Sequence, residues 1–231
     1  VIALTSCNGN GNNQGGGGEP GNSEDPENNN IEAAYYNILD DMKMPALELI
    51  EEVFSNYDNI SFSLIKNKIV NNINDLSEEI ELELNVQDVE LYYRKINYSY
   101  NSVDVDGAPI ELSSVAFWYG YHIGEDTTWH DLSPEKVCLM EHYTITSDYE
   151  SPTQGFPLEL FITGNTLTVM PDYIGYGLTR HLNHPYLNHD ICATNSIDAL
   201  PAAYTLFNKM SNVDLNEDWT LCVLGASQGG G

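Results

Sequence analysis

The apolar run Trp219-Thr220-Leu221-Cys222-Val223-Leu224 stops at Gly225-Ala226-Ser227-Gln228-Gly229-Gly230-Gly231. This junction narrows the folds open to the chain more than any other stretch. The run is short, uncharged and rich in β-favouring side chains, the character of a central strand buried on both faces of a parallel sheet. Gly225 and Gly229 bracket Ser227 and permit the sharp turn that lifts a seryl Oγ above a sheet edge. A hydroxyl presented in this way is a candidate nucleophile, and the N–H of the next residue, Gln228, faces the charge that would develop there. The plain alternative is an ordinary Gly-rich turn after a strand.

Such an elbow is followed in the chain by a carboxylate and then a histidine. All six histidines, His122, His130, His142, His181, His184 and His189, precede Ser227. The expectation is therefore that acid and histidine lie beyond residue 231, that the segment by itself is close to inert, and that the chain is cut at both ends. A His, Asp and Ser set in another order is available. It suits an all-β protease, which helices at 31–57 and 191–210 and a strand-to-elbow context do not.

Acidic residues number 35 against eight Lys and Arg, a formal charge of −27. A surface so charged repels nucleic acid and anionic headgroups, which excludes phosphate-backbone binding as a main role.

At the start, Leu4-Thr5-Ser6-Cys7 closes a short apolar run and resembles the bacterial lipoprotein signal. The resemblance implies cleavage before Cys7, lipidation of its sulfur, and attachment to a membrane in the cell envelope, facing periplasm or exterior. Each buried acyl methylene contributes about 0.8 kcal/mol, so two or three chains hold a protein without a spanning helix. Residues 8–30 are a tract of Asn, Gly, Glu and Pro with little to bury, which reads as a flexible stalk.

Residues 31–231 form the folded domain, of which 31–88 are an N-terminal extension. Ile31, Tyr35, Ile38, Leu39 and Met42 recur at helical spacing after Asn30. Pro45 suits the first turn of a second helix carrying Leu47, Ile50, Val53, Phe54 and Tyr57. Residues 60–100 read mostly as strands, with Ile80, Leu82, Leu84 and Val86 alternating against Glu79, Glu81, Glu83 and Asn85. Leu91 to Tyr100 runs through Asp106-Gly107, a hairpin signal, into a return arm from Pro109 to Trp118. Strands follow at Lys136 to Thr144 and Asn165 to Met170, with Leu158 to Thr163 a strand or short helix. A helix follows from Ile191 to Met210, with Ile197, Leu200, Tyr204 and Phe207 inward and a kink at Pro201.

Four segments in order then carry a second resemblance: Pro171-Asp172-Tyr173-Ile174-Gly175-Tyr176-Gly177, His184-Pro185-Tyr186-Leu187, Ser196-Ile197-Asp198-Ala199, and Gly225 to Gly230. Together they resemble the α/β-hydrolase superfamily, in particular esterases of the secretory-lipase type and their prolyl-oligopeptidase-like relatives, over residues 90–231. The resemblance implies the N-terminal portion of a mixed, mostly parallel sheet with flanking helices. It further implies Ser227 as nucleophile, a small-molecule or lipid ester as substrate, and no cofactor. It points to the Asp172 N–H as second oxyanion donor, while the general hydrolase pattern points to that of Tyr143. A peptidase of the same fold, or a non-catalytic surface-binding lipoprotein, are the alternatives.

The run His181 to Asp190 contains metal-ligand types, but Pro185 breaks any helix that would align them, and the spacing fits no zinc pattern. No metal is expected. With Cys7 acylated, Cys138, Cys192 and Cys222 remain, an odd number that favours no structural disulfide.

Overall fold

A computed structural model describes residues 3–6, 34–46, 89–140, 166–213 and 220–225, with smaller pieces at 48, 67, 70–71, 74–79 and 215. Its strands are β1 (Ala3–Ser6), β2 (Tyr36–Pro45), β3 (Val89–Val103), β4 (Pro109–Ile123), β5 (Asp126–Asp131), β6 (Lys136–Met140), β7 (Thr166–Pro171) and β8 (Thr220–Gly225). One long helix, α1 (His189–Met210), lies between β7 and β8 in the chain. The strands form a single sheet in the order β1-β8-β6-β7-β4-β3-β2, with β5 paired to β4 beside that path. β6 runs parallel to both β7 and β8, and the remaining pairings are antiparallel. This is the mixed α/β sheet with a flanking helix that the sequence leads one to expect.

The hairpin of β3 and β4 is the spine of the sheet. Asp104 makes its turn: the side chain accepts from the amides of Asp106 at 2.9 Å and Ala108 at 2.8 Å, and Gly107 takes φ of +79°, the left-handed conformation that glycine adopts freely. Side chains then alternate between two cores, as a pleated strand requires. Ile96, Tyr98, Tyr100, Leu112, Ala116 and Trp118 face α1. Leu91, Tyr93, Val115, Phe117 and Tyr119 face the other side, with Ala46, Val70 and Leu76. Each large apolar side chain buried in this way contributes about 1.5–3 kcal/mol.

Three expectations are corrected. Tyr36–Pro45 is a strand, antiparallel to β3 with Tyr36 opposite Tyr100 and Pro45 opposite Tyr92, rather than part of the helix expected over Ile31 to Met42. The edge of β3 offers a full ladder of backbone partners, and Asn37, Asp40, Asp41 and Lys43 give β2 the polar character of an edge strand. Residues 74–79 are helical, where mostly strand was expected. In α1 the inward residues are Cys192, Asn195, Ser196, Ala199, Ala202, Ala203, Leu206 and Phe207, and Ile197 is 58% exposed. Small side chains face the sheet because the phenols of Tyr98 and Tyr100 reach across it, donating to Ala199 O at 3.0 Å and Asn195 O at 2.8 Å.

The helix expected from Pro45 is represented only by Ala46 and Glu48, both helical. Its other residues, the alternating stretch 80–86 and the segment 158–163 lie outside the described residues. Ala3–Ser6, read from the sequence as the end of a lipoprotein signal, pairs with Cys222–Gly225.

Candidate functional site

The three parallel strands end together. Their registers place Lys136 beside Thr166 and Thr220, and Met140 beside Leu224, so the carboxyl ends of β7, β6 and β8 are neighbours on one edge of the sheet. Successive strands lie about 4.8 Å apart. The chain enters β6 from β5, returns to β7 on one side of β6, and crosses through α1 to β8 on the other. Open α/β sheets bind ligands at such a reversal of strand order.

Ser227 and Gln228 follow β8 by two and three residues, and Tyr143 follows β6 by three; all three lie outside the described residues, as does Cys7. Asp172 is described, immediately after β7, and it is 2% exposed. Its amide donates to Ser113 O at 2.9 Å, so in this arrangement the N–H assigned to an oxyanion is engaged by β4. Its carboxyl accepts from the Ser113 hydroxyl through Oδ2. Burial pushes the Asp172 carboxyl up to about 7, and the Ser113 hydrogen bond opposes part of that rise.

Ser113 also accepts at its Oγ from the amide of Leu178, at 3.1 Å. One strand residue thereby holds both ends of the loop after β7. The loop has its own hydrogen bonds: Tyr176 N–H to Tyr173 O at 3.0 Å, Thr179 N–H to Tyr176 O at 2.8 Å, and Gly175 N–H to Thr179 Oγ1 at 3.0 Å. Gly177 has φ of +48°, and a Cβ there would sit on Asp172 Oδ2 and Ser113 Oγ. Gly177→Ala is therefore expected to lose the Ser113–Asp172 contact and to destabilise by about 1–3 kcal/mol, read as a lowered midpoint of denaturant unfolding.

The histidine run resolves into a packing element at the same edge. His184 stacks on Tyr173 with ring centroids 5.7 Å apart, and meets Tyr176 and Tyr186 edge-on at 5.0 and 6.0 Å. Its Nδ1 lies 2.7 Å from Ile174 O. A carbonyl only accepts, so Nδ1 carries the proton, and a neutral ring presents Nε2 as acceptor. Gly175, at φ of +92°, lets the backbone of His184 approach to 2.8 Å of its Cβ position. His181 and His189 are exposed.

Ser113 was not singled out from the sequence. The available signal is the pair Ser113-Ser114 in a run otherwise apolar from Leu112 through Tyr119, because a hydroxyl at a buried position needs a partner. Arg94 was likewise read only as a strand residue. It is 4% exposed and forms a second polar centre, remote in the chain from the first, against Asp41 and Asp131.

The chain matches no family model and no curated protein. Among solved structures it is similar to the rice cell wall degrading esterase LipA from Xanthomonas oryzae, with 19% identity and a TM-score of 0.49 over 85% of this chain and 42% of that one. A ligand-bound form of the same esterase aligns with 18% identity and a TM-score of 0.46, over the same shares. A Legionella pneumophila protein provisionally classed as a hydrolase aligns with 19% identity and a TM-score of 0.48, over 85% of this chain and 44% of that one. The chain thus spans about two-fifths of the length of these proteins.

Proposed function

We propose that this chain carries the nucleophile of a serine hydrolase acting on carboxylic esters, with Ser227 attacking the ester carbonyl and the Gln228 amide stabilising the oxyanion. One observation carries the reading. β8 lies in the parallel part of the sheet and ends beside β6, which separates it from β7, and its chain leads at once into Gly225-Ala226-Ser227-Gln228-Gly229. Two residues span at most about 7 Å, so the chain after β8 starts from the same end of the sheet as the loop that follows β7, one strand removed from it. A half-buried parallel strand delivering a serine to the carboxyl edge of a mixed sheet is the arrangement in which glycine-flanked nucleophiles are strained outward.

The substrate is a small-molecule or lipid ester. The acidic balance of the chain gives it no affinity for polyanions. The second oxyanion donor is the N–H of Tyr143 or of Asp172, and the Asp172 amide takes that part only by leaving Ser113 O. His184, held by Ile174 O and by its ring neighbours, is assigned a packing role. Cys7 is the anchor of a protein held at an envelope membrane; β1 would be removed by cleavage before Cys7, leaving that side of β8 to another partner.

The test is a fluorophosphonate probe applied to bacterial membranes containing the native gene product. A single adduct mapped to Ser227, found in the membrane fraction and moved to the soluble fraction by Cys7→Ser, is the expected result. A folded protein that takes up no probe at Ser227 would establish the non-catalytic binding reading instead.

A further inference from the structure

We propose that Ser113 and Asp172 are positioning residues, a hydrogen-bonded lock between β4 and the loop after β7 that opens when the Asp172 carboxyl ionises. That this lock sets activity rests on the ester-hydrolase reading; that it sets the loop does not.

The geometry is a relay. The Leu178 amide donates to Ser113 Oγ at 3.1 Å, the Ser113 hydroxyl donates to Asp172 Oδ2, and the Asp172 amide returns to Ser113 O at 2.9 Å. Residues 172–178 are therefore closed into a ring on one strand residue, with Gly177 packed where a side chain would break the relay. Asp172 Oδ1 is buried and has no hydrogen-bond partner among the described residues. A neutral acid tolerates that position far better than a carboxylate, which loses most of its hydration for one hydroxyl.

Among the described residues, the groups in contact with the carboxyl are Ser113 from β4 and Gly177 from the loop, neither of which titrates in this range. The titratable side chains of the loop, Tyr173, Tyr176 and His184, stack among themselves, and Arg180 and His181 are exposed. Burial and the Ser113 hydrogen bond are the causes acting on Asp172.

The sign follows from the raised carboxyl. Its folded value, about 7, lies above the reference value of 3.8, so its contribution to stability is complete below about 4 and is lost as pH rises through about 7. The loop therefore loosens as pH rises from about 4 to about 7 and changes no further above that. Because the Ser113 hydrogen bond lowers the Asp172 value, its removal moves the transition to higher pH.

The experiment measures amide exchange at Leu178, as a protection factor corrected for intrinsic pH dependence, and the rate of fluorophosphonate labelling. Both are followed from pH 5 to 9 in the native gene product and in Ser113→Ala and Asp172→Asn. Protection at Leu178 is expected to fall roughly tenfold or more between pH 5 and about 7 in the wild type and to level off above. Asp172→Asn should show no such step. Ser113→Ala should show protection reduced roughly tenfold at every pH, with any remaining step in labelling rate displaced upward.

A structural lesion alone would lower the unfolding midpoint without moving that step. Equal protection in all three proteins across the range overturns the lock. If Leu178 behaves as expected but Ser227 never reacts, the lock stands and the hydrolase reading fails. If Ser227 reacts and Leu178 shows no step, the hydrolase reading stands and the lock fails. Should Ser113→Ala not fold, Asp172→Asn against wild type decides alone.

Discussion

Ser227→Ala is expected to abolish ester hydrolysis, lowering kcat by about 10⁶ while leaving the unfolding midpoint within the error of measurement. The size of the loss follows from what the hydroxyl does. Without it no acyl-enzyme forms, and the remaining acceleration is that of oxyanion stabilisation and binding, on the order of 10³–10⁴ over water. On the hydrolase reading fold and catalysis separate, because a nucleophile presented at a strand-to-helix turn contributes little to packing and alanine is tolerated in its place. Steady-state hydrolysis of a short-chain nitrophenyl ester by the native gene product and its variant provides the measurement. A variant that retains one-tenth of wild-type kcat would remove Ser227 from the mechanism, whatever the fate of the fold. If neither protein hydrolyses esters but both bind a ligand equally well, the non-catalytic binding reading replaces the ester-hydrolase one.

The parts of this fold that were legible in the sequence are those where local chemistry and tertiary demand agree. Asp106-Gly107 between two alternating runs gives the β3–β4 hairpin. The apolar segments at Lys136, Thr166 and Thr220 give the three strands that define the candidate edge. In α1 the periodicity gives the helix but not its phase. Of the four large side chains expected inward, Phe207 is fully buried, Leu200 and Tyr204 are partly buried against the core, and Ile197 is exposed; beside Tyr98 and Tyr100 the face is filled by the smaller Ser196, Ala199, Ala202 and Ala203.

β2 illustrates the opposite case. Tyr35, Ile38, Leu39 and Met42 are spaced as in a helix, but Tyr35 is 52% and Leu39 45% exposed. What decides the conformation is the unpaired backbone of β3, a long-range partner that a local pattern does not report. Polar centres were least legible. Neither Ser113 nor Arg94 lies in a motif, and each acquires its partners from segments that only the folded sheet brings together. Asp172 was found by resemblance, but as an amide donor, whereas its carboxyl is the more heavily constrained group.

Arg94→Met is expected to destabilise the domain by about 3–5 kcal/mol, the usual result of removing one partner of a buried ion pair. Arg94 donates to both carboxylate oxygens of Asp41, at 3.0 and 2.8 Å, and to Met210 O at 3.1 Å, the last carbonyl of α1. Its guanidinium also lies over the Trp118 ring at 5.2 Å and 4.0 Å from Asp131. Asp131 is itself bound by the indole N–H groups of Trp118 and Trp129, both at 2.6 Å, and exchanges bonds with Asn212. One cation therefore joins β2, β3, β5 and the end of α1 while satisfying a helix carbonyl that would otherwise lack a donor.

The two carboxylates respond differently to its loss. Asp41 has a side chain 32% exposed and rehydrates; that of Asp131 is 3% exposed and keeps only its neutral donors. Most of the cost therefore comes from Asp131. The double variant Arg94→Met with Asp131→Asn should recover a good part of the stability lost by the single one, a coupling of about 1–3 kcal/mol in denaturant unfolding. Arg94→Lys should fall in between, because an ammonium keeps the charge but not the paired donors that Asp41 receives. Additivity of the two single substitutions would show that Arg94 acts through its stem and its indole contact rather than through its charge on Asp131, and the attachment of α1 to the sheet would then rest on its apolar face and on the bonds it receives from Tyr98 and Tyr100.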